Sequence, residues 1–187
     1  YIMIQDKNSH SDKSITIKGK NNRYQVKKHV FKDNDKKEKI NNGEIIESNY
    51  NYDNQIFILN ESIDNYSLTN INHKLLNAAI SKKLSSYKQQ DIMKKRHIPD
   101  IFITLNDILL LLQKSILKCN YCLKNVFIFY KNVREPSQWT LDRIDNDLGH
   151  NKDNVVISCL SCNLKRRTTN KDKFDFTKKM VIIKNDY

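Results

Sequence analysis

Residues 139–163 read WTLDRIDNDLGHNKDNVVISCLSCN, and the reading of this stretch decides the fold. Trp139 to Ile144 carries the bulky and β-branched residues of a strand. Asn146 to Asn151 collects Asn, Asp and one of the chain's three glycines, which predicts a loop. Asn154 to Ser158 predicts a second strand, and a helix is expected to start at Cys159. The unit is therefore strand, loop, strand and helix, with two cysteines at the start of the helix.

Those cysteines belong to a larger pattern. All four in the chain fall into Cys-x-x-Cys pairs, Cys119 with Cys122 and Cys159 with Cys162. Two intervening residues let a tight knuckle aim both sulfurs at one ion, and two knuckles complete the tetrahedral shell of a structural Zn²⁺ site. A closed shell of four thiolates has no open position for water, so this zinc is expected to hold structure and not to catalyse. Binding energies of roughly 10–16 kcal/mol in small zinc modules would supply much of the local folding stability. Thirty-six residues separate the two knuckles, enough for the strand–loop–strand insert.

Upstream, Leu75, Leu76, Ala79, Ile80, Leu84 and Tyr87 recur at three- and four-residue steps, predicting an amphipathic helix from about His73 to Arg96. Pro99 interrupts it. Thr104, with Asp107 three positions on, is a capping pair for a second helix carrying Ile108, Leu109, Leu111 and Leu112 to Cys119. Residues 1–70 read as a separate, small strand-containing region with loops. Its expected strands are Ile15 to Ile17, Tyr24 to Val26 and Gln55 to Leu59, with a lysine- and asparagine-rich loop from Lys32 to Asn42. Residues 73–187 form the second expected unit, helical lead-in plus cysteine module.

Lys and Arg outnumber Asp and Glu by 33 to 21, a net charge of +12. A balance of that size favours polyanionic partners, because neutralised phosphates release condensed counterions. The excess is spread evenly, +6 over 118–187 and +6 over 1–117, so it does not locate the contact. No run approaches the ~18 apolar residues of a membrane span, and no basic–apolar–small-residue secretory signal is present. The expected setting is intracellular, cytoplasmic or nuclear, where reduced thiols bind metal in preference to forming disulfides.

In their order, CNYC (119–122), WTLDRIDNDLGHNKDNVV (139–156) and SCLSCNLKRRT (158–168) resemble the HNH, or ββα-metal, endonucleases, in particular the phage-type and mobile-element forms with paired cysteine knuckles. The resemblance covers residues 119–168. It implies an α+β fold, a zinc-bound treble-clef ββα-metal domain preceded by helices. It implies a metal-dependent endonuclease that hydrolyses phosphodiester bonds, with double-stranded DNA as partner. In that family an acid on the first strand and an Asn or His on the helix hold one divalent ion, and a histidine beside the acid deprotonates water. Asp142 matches the acid, Asn163 the helical ligand and Asn154 the Asn that orients the loop. Carboxylate and amide oxygens are hard ligands that suit Mg²⁺ or Mn²⁺.

The chain departs from the pattern at 143, where Arg143 replaces the histidine. Arginine cannot act as a base, though it can clamp a phosphate. Two candidates are then open: His150 as base, otherwise an ordinary loop residue, and Asp145 as base or an extra metal ligand, otherwise a cap for the turn at Asn146. Lys165, Arg166, Arg167, Lys171 and Lys173 follow the helical ligand and are expected to grip the phosphate backbone. The competing reading is a zinc-stabilised nucleic-acid-binding or structural protein that keeps the scaffold without cleavage, alone, as a homodimer or in a larger complex.

Overall fold

Gln55, Ile58, Leu59 and Ser62 stand at i, i+3, i+4 and i+7, and all four are buried along one side of a helix, α1 (Tyr52–Asp64). The expected strand from Gln55 to Leu59 is therefore a helix. Its buried stripe includes two polar residues, which broke the apolar period. Gln55 is at home there because its side chain is fully bonded: Nε2 donates to the Phe129 carbonyl, and Oε1 accepts from the Ile128 and Phe129 amides.

The computed structural model describes residues 45–64 and 71–180. The expected strands at 15–17 and 24–26 and the loop at 32–42 lie outside the described residues. α2 (Ile71–Met93) realises the helix expected from His73, and Leu76 and Ile80 are its buried apolar anchors. α3 (Leu105–Lys114) begins at Thr104 with both arms of the capping box present. Thr104 Oγ1 accepts from the Asp107 amide, and Asp107 Oδ2 accepts from the Thr104 amide. α1, α2 and α3 pack against one another, and α3 also reaches the sheet.

That sheet is an antiparallel pair, β1 (Trp139–Arg143) and β2 (Val155–Cys159), in a register that sets Trp139 opposite Cys159 and Asp142 opposite Val156. Asn154 closes a short 3-10 turn (Lys152–Asn154) that leads into β2. α4 (Leu160–Arg166) follows without a loop and packs on both strands, and α5 (Lys171–Lys179) starts after an Asn170 cap. Among the described residues the architecture is mixed helix and one small sheet, in agreement with the α+β expectation. The core runs continuously from Ile58, Leu76 and Ile80 through Leu112 to Trp139 and Ile157.

α2 and the loop between the strands meet at Gly149. A Cβ built there would lie 2.5 Å from the Arg96 carbonyl oxygen and 3.0 Å from Asp91 Oδ2, so backbone would have to move to admit any side chain. Gly149→Ala should destabilise the protein by about 2 kcal/mol, the ordinary cost of overpacking a tight contact. It should lower the urea midpoint at unchanged slope; an unchanged midpoint would show that the loop does not rest on α2.

Candidate metal centre and adjoining polar site

Two tight turns bring the cysteines together. The first is closed by the Leu123 amide donating to the Cys119 carbonyl and by the Cys119 amide donating to the Lys124 carbonyl, with Leu123 at φ 57°. In the second, Cys159 is the N-cap of α4, and its sulfur accepts from the Cys162 amide. β2 delivers Cys159 beside the first knuckle, where the Asn120 amide donates to the Ile157 carbonyl. All four sulfurs lie within 4.8 Å of one another, and Cys122 Sγ is 3.9 Å from Cys159 Sγ. A tetrahedron with Zn–S near 2.3 Å has an S···S edge of about 3.8 Å, so the donor set and its spacing fit a zinc ion. The thiols are unbridged.

The thiols do not ionise independently of one another. A hydrogen bond from Cys159 holds the Cys119 thiol down to about 4, while burial and the neighbouring Cys119 charge push Cys162 up to about 12. The hydrogen bond to Cys119, then burial, drives Cys159 upward as well. Four thiolates this close need a positive charge among them.

Asp142 lies on the far half of β1, buried to 5% exposure. Both its oxygens are engaged: Oδ2 accepts from the Tyr121 hydroxyl at 2.7 Å, and Oδ1 pairs with Arg166 Nη1 at 2.8 Å. Burial raises its pKa, with Tyr121 and Arg166 pulling the other way. Tyr121, between the two cysteines of the first knuckle, was not singled out from sequence. Its place inside a buried metal knuckle was the available signal.

Arg166 corrects the sequence reading. It is fully buried and donates to Asp142 and to the carbonyls of Arg143 and Ile144, so it does not grip phosphate. Cys162 and Arg166 stand at i and i+4, the same helix face, and Cys162 already points inward. Lys165, Arg167 and Lys173 are exposed and Lys171 half-exposed.

Asn163 is half-buried on α4, and its Nδ2 donates to Thr140 Oγ1 and the Leu141 carbonyl at 3.2 Å each. The amide is thereby anchored to β1 next to Asp142, and its Oδ1 has no protein partner among the described residues. Asn154 ties the loop together: Nδ2 donates to the carbonyls of Asp145 and Gly149, and Oδ1 accepts from the Asp145 amide. Asp145 is exposed and caps the turn through the Asp147 amide. Arg143 is half-buried and donates to the Leu148 carbonyl. Burial lowers its pKa while Asp91 and Asp142 support its charge.

His150 is no ordinary loop residue. It is 4% exposed and stacks on Tyr87 at 4.5 Å between ring centroids. Its Nδ1 lies 2.9 Å from Oδ1 of Asp91, and its amide donates to Asp91 Oδ2 at 2.6 Å. Asp91, fully buried on α2, escaped the sequence reading because it stands 59 residues away. A carboxylate only accepts, so Asp91 fixes the proton on Nδ1 and leaves Nε2 with the lone pair of a neutral ring. Burial lowers the His150 pKa against the opposing pull of Asp91.

No protein-family model, curated protein or solved structure matches this chain. No helix among the described residues is long and apolar enough to cross a membrane.

Purified protein should contain one zinc per chain, and Cys159→Ser should lose metal and cooperative unfolding together; a folded, metal-free Cys159→Ser protein would contradict the staple. A second outcome concerns pH. With its folded pKa depressed below 6.5, His150 contributes stability that is present above that value and is lost as pH falls through the folded pKa. His150→Asn, whose amide keeps a donor toward Asp91, should show a shallower loss of Tm on acidification than wild type. Identical slopes would contradict a buried, neutral imidazole.

Proposed function

We propose that this chain is a metal-dependent endonuclease of the HNH type, acting on double-stranded DNA from a treble-clef ββα-metal scaffold. The observation that supports this best is the position of Asn163. It lies directly after a cysteine of the second knuckle and is anchored by Nδ2 to the strand that carries Asp142, with Oδ1 free of bonds to the described residues. Asp142 and Asn163 would hold one Mg²⁺ or Mn²⁺, which supplies charge stabilisation at the scissile phosphate when bound.

In this reading His150 takes the role of the histidine that Arg143 replaces. Asp91 holds the imidazole in the tautomer whose Nε2 accepts a proton from water. Attack of that water on phosphorus forms the new P–O bond as the P–O3′ bond breaks; the water's proton ends on Nε2, and the departing O3′ takes a proton from solvent. Arg143 adds positive charge beside the phosphate, and Lys165, Arg167 and Lys171 hold the backbone on the α4 side. Asp145 serves the turn.

One observation favours the second reading, a zinc-stabilised nucleic-acid-binding protein without cleavage. Both Asp142 oxygens are already bonded, to Tyr121 and to the buried guanidinium of Arg166, as in a structural ion pair.

Nicking of supercoiled plasmid with Mg²⁺ or Mn²⁺ separates the two. Asp142→Asn, which retains the hydrogen-bonded shape, Asn163→Ala and His150→Ala should each lower the rate by about 10²–10⁴-fold, with zinc content unchanged. Equal cleavage by wild type and Asp142→Asn would remove the active-site assignment. Salt-sensitive DNA binding with no cleavage by any form would establish the second reading.

A further inference from the structure

α2 ends against the loop that joins β1 to β2, and it ends on a run of cations. Lys94 and Lys95 are exposed, and Arg96 Nη2 pairs with Asp147 Oδ1 at 3.4 Å. The termination is a Schellman motif: the Arg96 amide donates to the Asp91 carbonyl, and the Lys95 amide donates to the Ile92 carbonyl. Lys95 therefore sits at the left-handed position, with φ 56°, where glycine costs least. On the other side of the same loop, α4 ends on the exposed Lys165 and Arg167. Arg167 also has positive φ, 51°, and its carbonyl accepts from Asn146 Nδ2 at 3.5 Å. The loop that links Asp142 to His150 thus lies between two basic helix ends. A cation at a helix C-terminus is favoured by the dipole. The dipole accounts for charge at the end of α2, and the contact of that end with the loop between Asp142 and His150 sets the charge beside the proposed site.

We propose that Lys94, Lys95 and Arg96 form a second backbone-contacting arm for duplex DNA, on the side of the loop opposite Lys165 and Arg167. This rests on the nucleic-acid reading above and adds a surface from outside the cysteine module. The chemistry is that of phosphate neutralisation: Lys94 and Lys95 are long, exposed cations with no geometry for reading base edges, and Arg96, half-buried against Asp147, adds positive charge beside them. The arm therefore contributes affinity and salt dependence without sequence preference.

The test is binding of the full chain to a short mixed-sequence DNA duplex by fluorescence anisotropy, without added divalent cation, from about 50 to 200 mM salt. The double variant Lys94→Ala/Lys95→Gly should reduce the slope of log K against log salt by about 1 to 2. Lys95→Gly alone relieves the left-handed lysine, so its thermal midpoint should rise while its binding weakens, which separates the arm from any folding defect. Lys74→Ala is the control, an exposed lysine on the first turn of α2 and about 30 Å from Lys95 along the helix; it should leave the slope unchanged. An unchanged slope in the double variant, while Lys165→Ala/Arg167→Gly lowers it, would overturn the arm and leave the nucleic-acid reading intact. An equal loss in Lys74→Ala would also overturn it, since only overall charge would then matter. Wild type without salt-sensitive binding would overturn both.

Discussion

Four thiols within 4.8 Å of one another cannot all ionise without a shared cation, and the rest of this structure is arranged around that constraint. The two knuckles are far apart in sequence, so closing them around one ion fixes both ends of the β1–β2 insert. It also fixes the phase of α4. With Cys162 turned toward the ion, the residue one turn on, Arg166, must face the strands, and it meets Asp142 there. Asn163, one position past the last thiol, is turned to the edge of β1 by the same phase. A seven-residue helix is too short to be stable by itself; packing on the strands holds it, and a metal ion among the four cysteines would clamp its first turn.

A second constraint is electrostatic. Asp91, Arg143, Asp142 and Arg166 place two negative and two positive charges in a mostly buried region around the strand end, with a neutral His150 among them. Each charge is offset by a neighbour or by backbone carbonyls, and an unpaired member would cost about 3–5 kcal/mol. Such a cluster ties distant segments into one registry. Asp91 brings in α2, Tyr121 brings in the first knuckle, and Arg166 brings in α4. The close approach of Gly149 to Arg96 explains why α2 belongs to the site as much as the cysteine module does. The loop between Asp142 and His150 is then held by the end of α2 and by the end of α4.

What was legible in the sequence was local. The cysteine spacing, the Thr104–Asp107 capping pair, the two strands and the helix from Cys159 follow from turn geometry and period, and the structure has them. What was hidden was longer in range or polar. The segment from Gln55 to Leu59 looks like a strand because Gln55 and Ser62 occupy a buried helical face, and Gln55 is satisfied only by backbone more than seventy residues away. Arg166 sits in a basic run that suggests a solvated, phosphate-facing surface, and only its i+4 relation to Cys162 reveals that it turns inward. His150 was legible as a candidate but its partner was not, since nothing local ties a loop histidine to an aspartate on an earlier helix.

The sulfur spacing leads to a single tetrahedral zinc ion held by all four cysteines. X-ray absorption at the zinc edge of the purified protein tests it most directly. Four sulfur neighbours at about 2.3 Å with no nitrogen or oxygen in the shell is the expected result. A shell with fewer than four sulfurs, or with an oxygen or nitrogen ligand in place of one, would contradict it.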